Sequence, residues 1–289
     1  MTGKIVMVTG ANAGIGRATA RGLAKTGAAV VMICRSRERG EEALDCIKRE
    51  TGNDAVHLLL ADLASQRSIR QLVTDFKTRY SALHVLINNA GIVPASRMIT
   101  EDGLEMQFAV NYLAPFLLTR LLLDVLVASA PARIVNVSAS YHEKSLPINF
   151  DDLQTEHAPY DARSVYAWTK LAGIMFTYEL AHRLQGTGVT ANCLHPGVIE
   201  TTLMQDFVTG TSPLPEERMA MVRRLIVALE EGASACLYVA TSPELEGVTG
   251  KYFDNGRAVP SSGFSYDEAA SRRLWQVSED ILRRSQSGV

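Results

Sequence analysis

The sequence predicts an α/β chain: a doubly wound parallel sheet in a single domain, with a helical C-terminal extension. Two observations carry this expectation. Short, near-continuously apolar runs alternate with longer amphipathic ones, as in buried parallel strands joined by crossover helices. The small and polar residues able to do chemistry then fall at the carboxyl ends of those runs, where open α/β sheets bind ligands. The expected strands are Lys4–Thr9, Ala29–Ile33, Ala55–Leu60, Leu83–Asn88, Arg133–Val137 and Val189–His195. The expected helices are Gly14–Thr26, Arg37–Thr51, Gln66–Tyr80, Leu104–Ser129 and Ser164–Gly186. Two regions break the alternation. Residues 198–225 read as loop and then helix (Val222–Leu229), a candidate lid. In the tail, Ser265 and Glu268 suggest a capping box, and Ala270, Leu274, Val277 and Ile281 recur at helical spacing. Residues 260–289 are therefore expected to pack on the domain formed by residues 1–259.

Composition narrows the function. The chain has 289 residues, 47% of them hydrophobic and 21% charged, as in an ordinary globular protein. A net charge of −2 gives no basic surplus for a nucleic-acid backbone. The 4 cysteines, Cys34, Cys46, Cys193 and Cys236, form no C-x-x-C pair and read as reduced, mostly buried thiols. No His/Cys/Asp/Glu cluster has metal-ligand spacing. The first strand begins almost at Met1, and the apolar run Tyr112–Ala130 is interrupted by Arg120 and Asp124. These features suggest a cytoplasmic protein without leader or membrane contact.

The segment Thr9-Gly-Ala-Asn-Ala-Gly-Ile-Gly16 closes the first strand and opens the first helix. Glycines let backbone approach a pyrophosphate, and the free N–H groups of a helix start attract its charge. Gly10, Asn12, Ala13, Gly14, Ile15 and Gly16 are the expected contacts. A plain glycine turn is the rival, and the strand-to-helix setting disfavours it. The second strand ends Ile33-Cys-Arg35-Ser-Arg37, with no carboxylate for a ribose 2′-hydroxyl. Arg35 offers a guanidinium to a 2′-phosphate, which favours NADP(H); Arg37 suits a solvated surface charge. Asp62, with Leu63, ends the third strand and either meets the adenine or caps a helix, a job for which Ser65 competes. Asn89-Ala90-Gly91 ends the fourth and suits a floor beside the cofactor ribose or a structural turn.

Tyr166 and Lys170 lie i, i+4 on a helix, so phenol and ammonium share one face. A nearby cation favours a phenolate, which an acid–base tyrosine requires. A buried tyrosine beside a surface lysine is the rival reading, and spacing alone does not decide.

The glycine segment, Asn88-Asn-Ala-Gly91, Tyr166-x-x-x-Lys170 and His195-Pro-Gly197, in this order and spacing, resemble the short-chain dehydrogenase/reductase family. The stretches Glu105-Met-Gln-Phe-Ala-Val-Asn111-Tyr-Leu, Arg133-Ile-Val-Asn-Val-Ser138 and Arg272-Arg-Leu-Trp-Gln-Val-Ser278 resemble its retinol-dehydrogenase-like branch. The resemblance implies hydride exchange between nicotinamide and a carbonyl or alcohol. Tyr166 would be the acid–base group, Lys170 its partner and a ribose ligand, and Asn111 the holder of a relay water. Pro196, Gly197 and Val198 would support the nicotinamide, with Thr201 or Thr202 closing over it. The family serine that holds the substrate oxygen is replaced by Ala139, so Ser140, and after it Ser138, are the expected substitutes. That replacement leaves one alternative open, an NADPH-binding regulatory protein with little turnover. A sugar-nucleotide epimerase would need a larger C-terminal domain.

The small-molecule substrate is expected to be lipophilic. Leu203, Met204, Phe207, Val208, Leu214, Met219 and Met221 would line the lid, with Ile92, Val93 and Leu146 nearby. His142 is a candidate substrate contact, with a structural histidine as its rival. The helix around Ser164–Leu184 is apolar on more than one face, which suggests a homodimer or cover by the C-terminal extension.

Overall fold

A computed structural model describes residues 1–157, 159–209, 220 and 226–287. The strands are β1 (Ile5–Thr9), β2 (Ala29–Cys34), β3 (Val56–Leu60), β4 (Val85–Asn88), β5 (Ala132–Val137), β6 (Val189–His195), β7 (Val198–Ile199), β8 (Ile226–Val227), β9 (Tyr252–Asp254) and β10 (Arg257–Val259). The helices are α1 (Gly14–Lys25), α2 (Arg37–Thr51), α3 (Gln66–Arg79), α4 (Ala114–Ala128), α5 (Ala162–Arg183), α6 (Thr202–Thr209), α7 (Leu229–Thr241) and α8 (Glu268–Ser287). The 8-stranded sheet runs β10-β9-β6-β5-β4-β1-β2-β3, parallel except for β10 against β9. β7 and β8 form a separate parallel pair.

The apolar runs are continuous because both faces of the sheet are covered. Val6 and Val8 of β1 enter one core with Leu23 and Ile47, while Met7 between them enters the other with Phe76 and Phe116. The fold reverses direction between β1 and β4, so their carboxyl ends open into one crevice.

Several expectations need correction. The long helix is broken: Phe108–Leu113 is a π turn, and α4 starts at Ala114. The physical reason is in the sequence, since the N–H that Asn111 would bond in an α-helix belongs to Pro115, which has none. The Ala114 N–H bonds back to Ala109 instead. The stretch Phe108–Ala128 is long and apolar enough to cross a membrane, and most of it is buried inside the fold. Residues 202–209 are helical where a loop was expected. Residues 222–225 lie outside the described residues, as do Leu214, Met219 and Met221; Ile226–Val227 is strand, and α7 begins only at Leu229. Asp267, and not Ser265, caps α8: its carboxylate accepts the Ala270 N–H at 2.9 Å, while the Ser265 hydroxyl donates to the Ser262 carbonyl. The outer face of α5 is occupied by α8, whose Trp275 ring lies 5.8 Å from Phe176 and 4.9 Å from Phe116. Cover by the C-terminal extension, one of the two expectations for this face, accounts for its apolar character.

Candidate active site

A cleft of about 1140 Å³ runs along the carboxyl ends of β1, β2, β4, β5 and β6. At one end lies the glycine loop. A Cβ at Gly16 would stand 2.3 Å from the Gly10 carbonyl oxygen and 2.4 Å from Asn89 Nδ2, so only glycine allows this packing. The loop is fixed from below. The Thr9 hydroxyl accepts the N–H groups of Asn89 and Ala90 at 2.9 and 3.0 Å, and Asn89 Nδ2 donates to the Thr9 carbonyl at 2.8 Å. Ser36, Ser65 and Asp161 cap α2, α3 and α5 with their side chains, whereas Ala13 gives α1 no side-chain cap. The first turn of α1 therefore presents N–H groups and a positive dipole end to the cleft, as a pyrophosphate requires. Gly10, Asn12, Ala13, Gly14, Ile15 and Gly16 all line it. These residues fit a dinucleotide.

At the end of β2, Arg35 is exposed and lines the cleft, while Arg37 turns away to pair with Glu41 at 3.2 Å. Asp62 and Leu63 line the cleft beside them. Asp62 Oδ1 accepts the Ala64 N–H at 2.9 Å, and Ser65 is the N-cap of α3. Asp62 is thus a turn residue with its carboxylate at the nucleotide end.

At the other end stands Tyr166, buried at 6% exposure beneath the Phe207 ring, 5.7 Å away. Burial raises its phenol above the ordinary range, so it carries its proton at neutral pH. Lys170 Nζ lies 5.5 Å from the Tyr166 ring centre and donates to the Val137 carbonyl at 3.0 Å. Burial pulls its ammonium from 10.5 down to about 8. Asn111 is held in the π turn, with Oδ1 accepting the Ile92 N–H at 2.8 Å and Nδ2 donating to the Ile92 carbonyl at 3.0 Å. Asn111 Oδ1, Lys170 Nζ and a Leu203 methyl each lie 3.5 Å from where a Cβ of Gly91 would stand, so the four residues meet at one point. Behind Lys170 a chamber of about 20 Å³, large enough for one water, touches Asn88, Asn111 and Asn136. The Glu105 carboxylate accepts the Gln107 and Phe108 N–H groups at 3.0 and 2.7 Å and anchors the start of the π turn.

The two serines beside Ala139 differ. Ser138 also borders the cleft, but its buried hydroxyl donates to the Lys170 carbonyl at 3.1 Å, which braces α5 against β5. Ser140 opens a 3₁₀ turn, Ser140–Lys144, and lines the cleft. Pro196, Gly197, Val198, Thr201, Leu203 and Phe207 line it too. Thr201 reaches back to the glycine loop, its methyl 3.2 Å from where a Gly14 Cβ would sit. Arg163 ties α6 to the catalytic helix by donating to the carbonyls of Phe207 and Val208 at 3.1 and 3.3 Å.

His142 does not contact the cleft. It is fully buried, with Nδ1 donating to the Ala139 carbonyl at 2.8 Å and Nε2 accepting the Ser262 N–H at 3.1 Å. It is a neutral structural tie, because Nε2 accepts while Nδ1 donates and burial lowers its affinity for protons. Leu146 is 79% exposed, and Val93 is buried behind Tyr166, so neither lines the cleft. Sequence reasoning missed Tyr141, Lys144, Met106 and Val110, which do line it. Met106 and Val110 carry no signal beyond helical spacing, and Tyr141 and Lys144 follow a strand end of unknown turn type.

A family model described as short chain dehydrogenase matches residues 4–150 and 153–211. Retinol dehydrogenase 14 of Homo sapiens is 44% identical over 295 aligned positions, covering 98% of this chain and 87% of that protein. A solved structure of an uncharacterised Mycobacterium paratuberculosis protein superposes with a TM-score of 0.78 at 31% identity, covering 98% of this chain and 94% of the other. A short chain dehydrogenase from Burkholderia cenocepacia in complex with NADP superposes with a TM-score of 0.68 at 26% identity, covering 87% and 96%.

Proposed function

Because this chain belongs to the short-chain dehydrogenase/reductase family, in its retinol-dehydrogenase-like branch, and is thereby an oxidoreductase moving hydride between a nicotinamide cofactor and its substrate, we propose that it uses NADP(H) on a lipophilic carbonyl or alcohol, with Tyr166 as the proton donor. One observation carries the reading: a buried phenol beside a buried ammonium, in a cleft whose far end is an uncapped helix start and an arginine. A reduced dinucleotide held there would supply the hydride. Gly10–Gly16 and the N-terminus of α1 would hold its diphosphate, and Arg35 would hold a 2′-phosphate. The NADP seen in the Burkholderia relative and the missing carboxylate after β2 both support that choice.

Tyr166 keeps its proton until a carbonyl oxygen becomes basic, then releases it to that oxygen. Lys170, one turn along α5, stabilises the phenolate left behind and attracts the ribose hydroxyls. Pro115 leaves the Asn111 carbonyl without its helical partner, and the adjacent chamber suits a water that returns a proton through Lys170. Ser140 supplies the hydroxyl missing at Ala139. Leu203, Phe207, Met106 and Val110 exclude water from the reacting carbon. The retinol of the relative's name fits such walls, as do other apolar aldehydes and alcohols.

NADPH consumption with a panel of aldehydes tests this reading. Tyr166→Phe is expected to lower kcat/KM by about 10²–10⁴ with NADPH still bound. Arg35→Asp is expected to raise the KM for NADPH by about 10–100-fold and leave that for NADH nearly unchanged. A wild-type protein that binds NADPH and turns over no carbonyl would instead be the regulatory protein that Ala139 permits.

A further inference from the structure

Tyr141 and Lys144 lie three residues apart in the 3₁₀ turn Ser140–Lys144. Side chains three apart eclipse in such a turn, and both line the cleft while His142 between them faces the interior. The Tyr141 ring is 4.8 Å from that of Phe207 and 6.4 Å from that of Tyr166, so it forms the apolar wall beside the proton donor. Lys144, one 3₁₀ turn further on, lines the same cleft. It is exposed and, among the described residues, has no ion-pair partner. Its neighbour Glu143 does not line the cleft, and its charge acts on His142 and His195.

The other charged side chains lining the cleft have other places. Arg35 and Asp62 stand at the nucleotide end, Glu200 adjoins Thr201 over the glycine loop, and Lys170 lies under Tyr166. Among the described residues, Lys144 is the charged group on the substrate side. We propose that the substrate carries an anionic group besides its carbonyl or hydroxyl, and that Lys144 binds it. This rests on the reductase reading above and narrows it to an apolar oxo- or hydroxy-acid. An ion pair with an exposed lysine is worth a few-fold in affinity. A lysine acts as a point charge, so carboxylate and phosphate are equally suited to it.

The test compares three medium-chain aldehydes of equal length with NADPH: an ω-oxo carboxylate, its methyl ester and the matching ω-oxo alkyl phosphate. The wild-type protein is expected to favour at least one anion over the ester by about fivefold or more in kcat/KM, chiefly through KM. The favoured anion identifies the group. Lys144→Met, which keeps the stem, is expected to erase the preference, and Lys144→Glu to reverse it. Equal use of all three by the wild type, or a preference that survives Lys144→Glu, overturns the proposal. Turnover of the ester alone overturns it while leaving the reductase reading intact, and turnover of none overturns both.

Discussion

Replacing Lys170 with methionine is expected to destroy turnover and stabilise the fold. Lys170 is 5% exposed, and burial draws its ammonium from 10.5 to about 8. At about 1.4 kcal/mol per tenfold, keeping it charged at pH 7 costs the folded state about 3 kcal/mol. Methionine has nearly the same length and no charge to desolvate. It forfeits the 3.0 Å bond to the Val137 carbonyl, worth about 1–2 kcal/mol, which leaves a net gain of about 1–2 kcal/mol. The pH dependence has a definite sign. Between about 8 and 10.5 the unfolded lysine keeps its proton and the folded one has lost it, so wild-type stability rises with pH through that window. The variant has no such slope, and its advantage at pH 7 should vanish by pH 10. Urea unfolding of the cofactor-free protein at both values measures this. A variant less stable than wild type at pH 7, or one whose advantage persists at pH 10, would refute the reasoning.

Other substitutions probe the cleft more locally. Gly16→Ala places a methyl within 2.3 Å of the Gly10 oxygen, so the loop must shift; melting should report a loss of about 1–3 kcal/mol, and NADPH fluorescence titration a much weaker complex. Binding within twofold of wild type would remove the glycine loop from the cofactor site. Ser140→Ala is expected to lower kcat by about 10²–10³, whereas Ser138→Ala, whose hydroxyl braces α5, should mainly lower stability. Equal kcat losses in the two variants would contradict the bracing role of Ser138.

The sheet was legible because a strand covered on both faces must be apolar throughout, and β1 to β6 lie within a residue or two of where their runs suggested. The glycine segment was legible because it needs both a strand before it and a helix after it. Shorter pieces escaped. The β9–β10 hairpin has only 3 residues in each strand, too few for a periodic signal. Its turn, Asn255-Gly256, has both φ angles positive at 48° and 71° and is the one local signal the hairpin carries. The π turn was written in the Asn111–Pro115 spacing, yet a hydrophobic pattern continues across it. Which serine faces the ligand depends on where β5 gives way to a 3₁₀ turn, and one residue of difference reverses the answer. His142 looked available only because its partner Ser262 lies 120 residues away.

That imidazole makes the far end of the chain a silent participant in substrate choice. Its Nε2 must keep a lone pair for the Ser262 amide, and burial lowers its affinity for protons, so mild acid leaves the tie in place. Ser262→Pro, which removes the amide donor and leaves α8 on α5, strands that nitrogen and loosens Ser140, Tyr141 and Lys144 from behind. The glycine loop, clamped by β1 and β4, owes nothing to the tie. Loss of that one amide should therefore surface first as altered preference among substrates, with dinucleotide affinity preserved.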